Sequence, residues 1–363
     1  MPQMTAPLII GGGLAGAAAG IDLARSGHAP LLLERETGPH DKICGEFLSG
    51  EAVAALAGLG VDARRLRAVP ITRVEINTGH RQAAAALPFP ALSLSRRVLD
   101  EAMLDRAAAA GVAVQRGVSV RGLADDVAQT TTGDIAAPAL LLATGKHDVR
   151  GLPRPDGPDE IGFKMYFRDP ALSRRLAGTV AVTFFDGGYA GLQPVEGGRL
   201  NLCLLVNGAH YRELGNWPAL LARLTREPAL AALGDAEPLL PRPLAISRVP
   251  YGHLAGPTTD GLWRLGDQAA VIPSFCGDGM AIALESGRLA ATMLAQGASA
   301  ADYQRVLLTR TRRPVRLAMA ALAVARHPLG RLAAMAGLSA IPGGLALLAR
   351  LTRVADPHAL APA

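Results

Sequence analysis

A short apolar run, Pro7–Ile10, ends in Gly11-Gly12-Gly13, and an alanine-rich helical stretch follows to about Ser26. Gly27 then stops the helix, and Pro30–Leu33 forms a second apolar run that closes on Glu34. This order constrains the fold more than any other feature. Gly11-x-Gly13-x-x-Gly16, with Leu14 and Ala15 between the last two glycines, sits where a strand passes into a helix. Gly11 permits the tight turn, Gly13 lets the backbone approach a pyrophosphate, and Gly16 allows the helix to lie close on the strand. The helix N-terminus presents free N–H groups and the positive end of its dipole to phosphates. Glu34, 23 residues after Gly11, stands at the strand end where a carboxylate accepts from ribose hydroxyls, with Arg35 beside it. The chain therefore opens as a dinucleotide-binding βαβ unit.

At 363 residues, half of them hydrophobic, the chain is long enough for about two domains with a real core. Its net charge of +6 mildly favours anionic partners, but basic residues are scattered and aromatics reach only 4%, which excludes a stacking, basic surface for nucleic acid. Three widely spaced cysteines, Cys44, Cys203 and Cys276, give neither a disulfide framework nor a metal cluster, and suit a reducing, cytoplasmic setting. The histidines show no metal-ligand spacing. The apolar N-terminus lacks a basic leader and does not read as a signal peptide. Leu332–Ala349 is uncharged, but Pro342-Gly343-Gly344 cuts it into two pieces, so a helical hairpin is expected and not a membrane span. Only Lys42, Lys146 and Lys164 are lysines. Drift toward arginine would leave lysine where a compact ammonium matters.

Further along, Ser95–Ala110 reads as a helix, Val112–Val120 and Val127–Ile135 as strands, and Ala139–Ala143 as a buried strand entering Thr144-Gly145. From about Glu160 the pattern changes. Phe163–Phe167, Thr179–Phe185, Tyr189–Val195 and Leu200–Val206 read as antiparallel strands joined by Gly-rich turns, with Trp217–Arg226 a helix among them. Gly261–Leu265 returns to a buried strand, Cys276–Ala295 is a helix, and Ala301 to about Arg353 is helical with breaks at Pro328 and Pro342. The expected fold class is α/β: residues 1–68, 95–150 and 255–300 form a discontinuous Rossmann-type nucleotide-binding domain. Residues 69–94 and 151–254 form an interleaved antiparallel-sheet substrate domain, and 301–363 a C-terminal helical region.

Later segments decide between NAD and FAD. Leu265-Gly266-Asp267 follows a buried strand, and after Pro273 comes Cys276-Gly277-Asp278-Gly279-Met280 at the start of a helix. These motifs resemble the flavoprotein superfamily of aromatic hydroxylases, geranylgeranyl reductases and flavin-dependent halogenases. The resemblance implies FAD, an aromatic-hydroxylase or glutathione-reductase-like fold, Asp267 on the ribityl chain, and the turn of Gly277, Asp278, Gly279 and Met280 beside the flavin ring. Arg96-Arg97-Val98-Leu99-Asp100 resembles the segment whose arginine, here Arg96, reaches the FAD phosphates, with Arg97 facing solvent. Lys42-Ile43-Cys44-Gly45-Glu46-Phe47-Leu48 resembles the loop that runs along the flavin in geranylgeranyl reductases. Ser286-Gly287 with Ala290-Ala291 is similar to the reductase and halogenase form of the following helix. The Cys-Gly-Glu-Phe-Leu-Ser and Ala-Thr-Gly-Lys-His segments resemble flavoproteins found beside bacterial type III polyketide synthases.

Thr144-Gly145-Lys146-His147 stands where aromatic hydroxylases carry Asp-Gly, so NADPH or NADH is the candidate electron donor but direct reduction by NADPH is expected to be slow. The tryptophan halogenase signature is missing, since the only tryptophans are Trp217 and Trp263. The protein contributes a shaped, apolar, water-excluding pocket and a few donors, because the flavin carries the redox chemistry. Cys44, Lys146 and His147 are the candidate catalytic residues, and Tyr189 and Gln193 the candidate substrate contacts. Solvated loop positions (Lys146, His147), buried filler (Cys44) and core packing or turn roles (Tyr189, Gln193) are their structural alternatives. The first expected function is a monooxygenase of secondary metabolism, acting through a flavin hydroperoxide on an apolar aromatic, polyketide or isoprenoid molecule. The alternative is an ene-reductase of an isoprenoid or enone, and a non-catalytic nucleotide-binding protein is the third. The C-terminal helices are expected either as a lid over the substrate or on an anionic membrane surface.

Overall fold

The computed structural model describes residues 6–258, 260–340 and 343–353. Five parallel strands, Leu8–Ile10, Leu31–Glu34, Ala113–Arg116, Leu140–Leu142 and Trp263–Arg264, form one sheet. Its order runs from Trp263–Arg264 through Leu140–Leu142, Leu8–Ile10 and Leu31–Glu34 to Ala113–Arg116. The leucine and isoleucine runs are buried on both faces, as parallel strands covered on two sides require. On one face Ile9, Leu32 and Leu141 pack under the helices Leu14–Arg25, Arg96–Ala109 and Gly279–Ala295. On the other, Leu8, Ile10, Leu33 and Leu140 pack against a small antiparallel sheet of Val120–Ala124, Val127–Thr130 and Gly133–Ala136. Two glycines set the first of these layers. A Cβ on Gly16 would lie 2.0 Å from the Gly11 carbonyl oxygen, and one on Gly287 would lie 2.2 Å from that of Ala15. Only glycine allows helix to lie this close on turn and helix on helix.

The second sheet has nine strands. Glu160–Arg168, Thr179–Phe185, Gly188–Val195 and Arg199–Asn207 continue into the long hairpin Val69–Thr78 and Arg81–Ser93, with Phe47–Leu48 at the end. Every pairing is antiparallel except that of Thr179–Phe185 with Val69–Thr78. Period-two alternation sorts the side chains. Phe163, Met165 and Phe167 pack on the helix Trp217–Leu224, while Lys164 and Tyr166 point to the opposite face, toward the first sheet. The chain ends in three helices, Ala300–Arg326, Pro328–Ala340 and Gly344–Leu351, and the last two lie along Arg81–Ser93.

Several sequence expectations change here. Val112–Val120 is not one strand: Ala113–Arg116 joins the parallel sheet, Gly117 turns with φ +75°, and Val120–Ala124 starts the small sheet. Val127–Ile135 likewise divides at a turn before Gly133. The strand read over Gly261–Leu265 shrinks to Trp263–Arg264, and the helix read from Cys276 starts at Gly279, because Gly277 takes a left-handed conformation, φ +72°. The helix Gly50–Gly58 and the hairpin over 69–93 were not legible as elements: the first is short, and the second is interrupted by Pro88 and Pro90. The break assigned to Pro342 lies outside the described residues. Among the described residues, no helix is long and apolar enough to cross a membrane.

Candidate active site

Gly11 and Gly13 end the first strand and open the helix Leu14–Arg25, and Glu34 ends the neighbouring strand. The Glu34 carboxylate is buried and accepts from the Gly12 amide at 2.8 Å and the Glu36 amide at 2.9 Å, which fixes it beside the turn; Arg35 points outward and pairs with Glu36. Ser95 caps the helix Arg96–Ala109, and Arg97 is exposed. Arg96 grips Asp100 through two hydrogen bonds, 2.6 and 2.9 Å, and Lys42 reaches the same carboxylate at 2.7 Å. Two cations on one carboxylate leave net positive charge. The atoms nearest a Cβ on Gly13 would be those of Arg96 and Lys42, so this charge faces the turn. It is the electrostatic setting that a pyrophosphate requires.

On the other side, the Ser286 hydroxyl accepts from the Gly266 amide at 2.8 Å and holds the turn that presents Asp267. Asp267 pairs with Lys146 at 3.3 Å; burial disfavours the ammonium, but Asp267 and Cys44 raise its pKa. Pro273 precedes a short turn, and Gly277 leads into the helix that begins at Gly279. A Cβ on Gly45, Gly145 or Gly279 would meet no atom within 4 Å, so the loops leave open space around the strand ends. A basic end, the carboxylates of Glu34 and Asp267 and a helix N-terminus surround that space, and this donor set fits FAD.

Beneath the Cys44-Gly45-Glu46 loop lies a cluster that the sequence did not single out. Glu46, in a left-handed conformation with φ +61°, has a fully buried carboxyl. Its Oε1 accepts from the Tyr166 hydroxyl at 2.7 Å and the Arg96 amide at 2.8 Å, and lies 2.5 Å from the buried Lys164 ammonium. Burial pushes the Glu46 carboxyl above the usual carboxylate range, against the pull of Lys164, Tyr166 and the Arg96 amide. Its Oε2 is buried without a hydrogen-bond partner. The loop is pinned from the second sheet. The Gln193 side-chain amide donates to the Gly45 carbonyl at 2.8 Å and to Ser93 at 2.7 Å, and Asn201 donates to the carbonyls of Cys44 and Gly45. The scarcity of lysine was the one available signal. All three lysines pair with a carboxylate around this site: Lys42 with Asp100, Lys146 with Asp267, Lys164 with Glu46.

These loops form one end of a cavity of about 570 Å³. Its long walls are apolar: Val74, Ile76, Leu87 and Phe89 from the hairpin, Val180, Val182 and Phe184 from the second sheet, and Leu317, Met335, Leu338, Leu345 and Leu348 from the C-terminal helices. Leu14, Ala15, Cys44, Gly45, Arg96, Lys146, Asp267, Gly277 and Met280 line it, as do Tyr189 and Gln193. Tyr189 shares a 2.6 Å hydrogen bond with Ser274 and packs edge-on against Phe275, while Gln193 turns its nitrogen to the loop and keeps Oε1 buried without a partner. Cys203 also faces the cavity, and burial pushes its thiol up to about 12. His147 is exposed and is not part of the lining. Its carbonyl accepts from Thr144 and from Gln268, which braces the loop. Asp278 is buried behind the helix start, bound to Ser49 at 3.2 Å and to Arg353 at 3.1 Å, which ties the last helix to the cofactor end.

Residues 4–136 match the FAD binding domain family. The chain is 27% identical over 330 residues to the menaquinone reductase of Mycolicibacterium smegmatis, covering 82% of this chain and 77% of the relative. It is 24% identical over 322 residues to that of Mycobacterium tuberculosis, covering 79% and 76%. Among solved structures, the flavin-dependent brominase Bmp2 superposes with a TM-score of 0.79 at 17% identity, covering 96% of this chain and 94% of that one. PqsL, a probable FAD-dependent monooxygenase from Pseudomonas aeruginosa, superposes with a TM-score of 0.70 at 18% identity, covering 93% and 100%. At these identities the structural likenesses speak to the fold.

Proposed function

The chain is an FAD-dependent oxidoreductase, and we propose that it reduces a carbon–carbon double bond in a long apolar molecule of isoprenoid or enone type. The observation that carries this reading is the contrast inside the cavity: apolar walls along its length, and a buried cluster of exchangeable protons, Glu46 with Lys164 and Tyr166, behind Cys44 at one end. When bound, reduced FAD supplies the hydride. A reduced double bond also needs one proton, at the carbon next to the one that takes the hydride. The Cys44 thiol faces the cavity from the loop that runs past the cofactor space, and the Glu46 amide donates to its Sγ at 3.3 Å. Cys44 is the candidate donor, with Glu46, Lys164 and Tyr166 as the proton reservoir behind it. Lys146, paired with Asp267, would be among the residues that hold FAD, and its ammonium would favour the reduced, anionic form of the cofactor. The apolar walls orient the chain of the substrate and exclude water.

Hydroxylation is the second reading, favoured by the apolar cavity and the fold shared with PqsL. Single-turnover mixing of the reduced holoenzyme with a prenylated quinone or a long-chain enone, with and without dioxygen, separates the two. A product heavier by two hydrogens and indifferent to dioxygen supports reduction. A product heavier by one oxygen atom, formed only with dioxygen, replaces it with hydroxylation. Release of FMN alone on denaturation would overturn both.

A further inference from the structure

The five large apolar side chains that the described residues expose all belong to the three C-terminal helices. Val324 lies on Ala300–Arg326, Leu329 and Leu332 on Pro328–Ala340, and Leu347 and Leu351 on Gly344–Leu351. Spacings of three and four place each pair on one helix face. Leu329 is 70% exposed, well beyond what a solvated helix edge needs. The same helices turn Met335 and Leu345 inward to the cavity, so they are apolar on both sides. An exposed apolar face that also carries basic residues is the pattern of a helix lying at a membrane surface.

After Asp302 the charges on these helices have one sign, and Arg305, Arg310, Arg326, Arg331 and Arg353 pair with Asp302, Glu285, Glu160, Asp186 and Asp278. Residues 303–353 hold nine arginines and no acidic residue. Arg312, Arg313, Arg316 and Arg350 are exposed. Arg313 stands eleven residues, three helical turns, before Val324, and Arg350 three after Leu347, which puts basic groups on the faces that carry the apolar ones. A symmetric contact with a second copy would set this basic face against itself, a like-charge arrangement that is costly. An anionic lipid surface meets both features: arginine heads reach the headgroups while their stems and the leucines enter the acyl boundary. A third observation connects this face to the site. Val324 is 47% exposed and also lines the cavity, so the cavity wall and the outer apolar face meet at that residue.

We propose that the outer face of the three C-terminal helices docks on an anionic lipid bilayer, and that the substrate enters the cavity from the bilayer beside Val324. Docking stands independently of the reaction; the entry route rests on the apolar-substrate reading. The test uses the full-length holoenzyme and vesicles of phosphatidylcholine, alone or with one part in three of phosphatidylglycerol. Co-sedimentation with the phosphatidylglycerol vesicles is expected, and it should fall in high salt. Leu329→Asp/Leu347→Asp lies outside the cavity lining. It should lower the vesicle partition by at least about tenfold with bound flavin unchanged. Arg312→Gln/Arg313→Gln should lower it less, and only with the anionic vesicles. No sedimentation of the wild type, or equal sedimentation of the Leu329→Asp/Leu347→Asp variant, would overturn docking. So would a dimer that this variant dissolves, or binding that emerges only after residues 354–363 are removed, since another occupant would then own the face. For the entry route, wild type and Leu329→Asp/Leu347→Asp should turn over a water-miscible short enone equally, and only wild type a vesicle-embedded long one. Equal rates on both overturn the route and leave docking intact; no turnover of either by wild type counts against the reaction alone.

Discussion

The loops at the cofactor end of the cavity set each of the three lysines against a carboxylate, whereas the helices at its far side carry nine arginines and no acid over residues 303–353, five of them pairing with acids outside that stretch. The first region is polar, built from turns and strand ends, and its buried groups are linked to partners on the second sheet. The second is alanine, leucine and methionine, with apolar residues on its inner and outer faces. A charged cofactor needs fixed dipoles and ions that are in place before it arrives. A long apolar substrate needs only a shaped, dry wall. The two ends of the cavity should therefore fail in different ways when mutated.

The largest effect is expected at the Glu46–Lys164 pair. Lys164→Met leaves a buried carboxyl without its counter-ion, which should cost about 3–5 kcal/mol of stability and most of the bound flavin. Adding Glu46→Gln should recover most of that stability, as read by urea unfolding. A double variant as weak as Lys164→Met would mean that packing, and not charge balance, organises this end. At the apolar end, Met335→Ala removes a buried side chain that lines the cavity. A loss of about 2 kcal/mol is expected there, with flavin absorbance unchanged and weaker binding of a long-chain enone. Loss of flavin in Met335→Ala would erase the division between the ends. Asp267→Ala should cost only about 1 kcal/mol in thermal unfolding, because its pair with Lys146 is partly solvated, yet flavin occupancy should drop with the ribityl-side carboxylate. Full occupancy in Asp267→Ala would assign that carboxylate to the loop alone.

The smallest effect belongs to a pair in neither region. Burial alone would raise the Asp260 carboxyl, but hydrogen bonds from Arg264, Thr258 and the Leu262 amide, with the Arg264 charge, bring it down to about 2. The folded pKa lies below the unfolded value of about 3.9, so this stabilisation is present above pH 3.9 and is lost as pH falls through about 2. The pair is about a third exposed on the acid side, so Asp260→Asn should cost less than about 1 kcal/mol at pH 5. Its melting temperature should converge with wild type near pH 2; a difference that persists there would assign the loss to hydrogen bonding.

What the sequence determined by itself was the cofactor end, wherever short-range rules suffice. The Gly11 to Gly16 turn, Glu34 at the strand end, Arg96 on its capped helix and the Gly277 turn before Gly279 are fixed by residues within a few positions of one another, through turn dihedrals, capping and the close approach that glycine permits. Tertiary structure alone decided which distant groups meet. Glu46 and Lys164 are 118 residues apart and pair only because the register Lys164↔Cys203 turns the ammonium to the inner face of the second sheet. The buried link from Asp278 to Arg353 and the placing of the C-terminal helices over the hairpin follow from the way the two sheets close on each other. A leucine- and alanine-rich helix carries no mark of which face will be inside. That choice is made by the surface it meets, and for these helices both faces remained apolar.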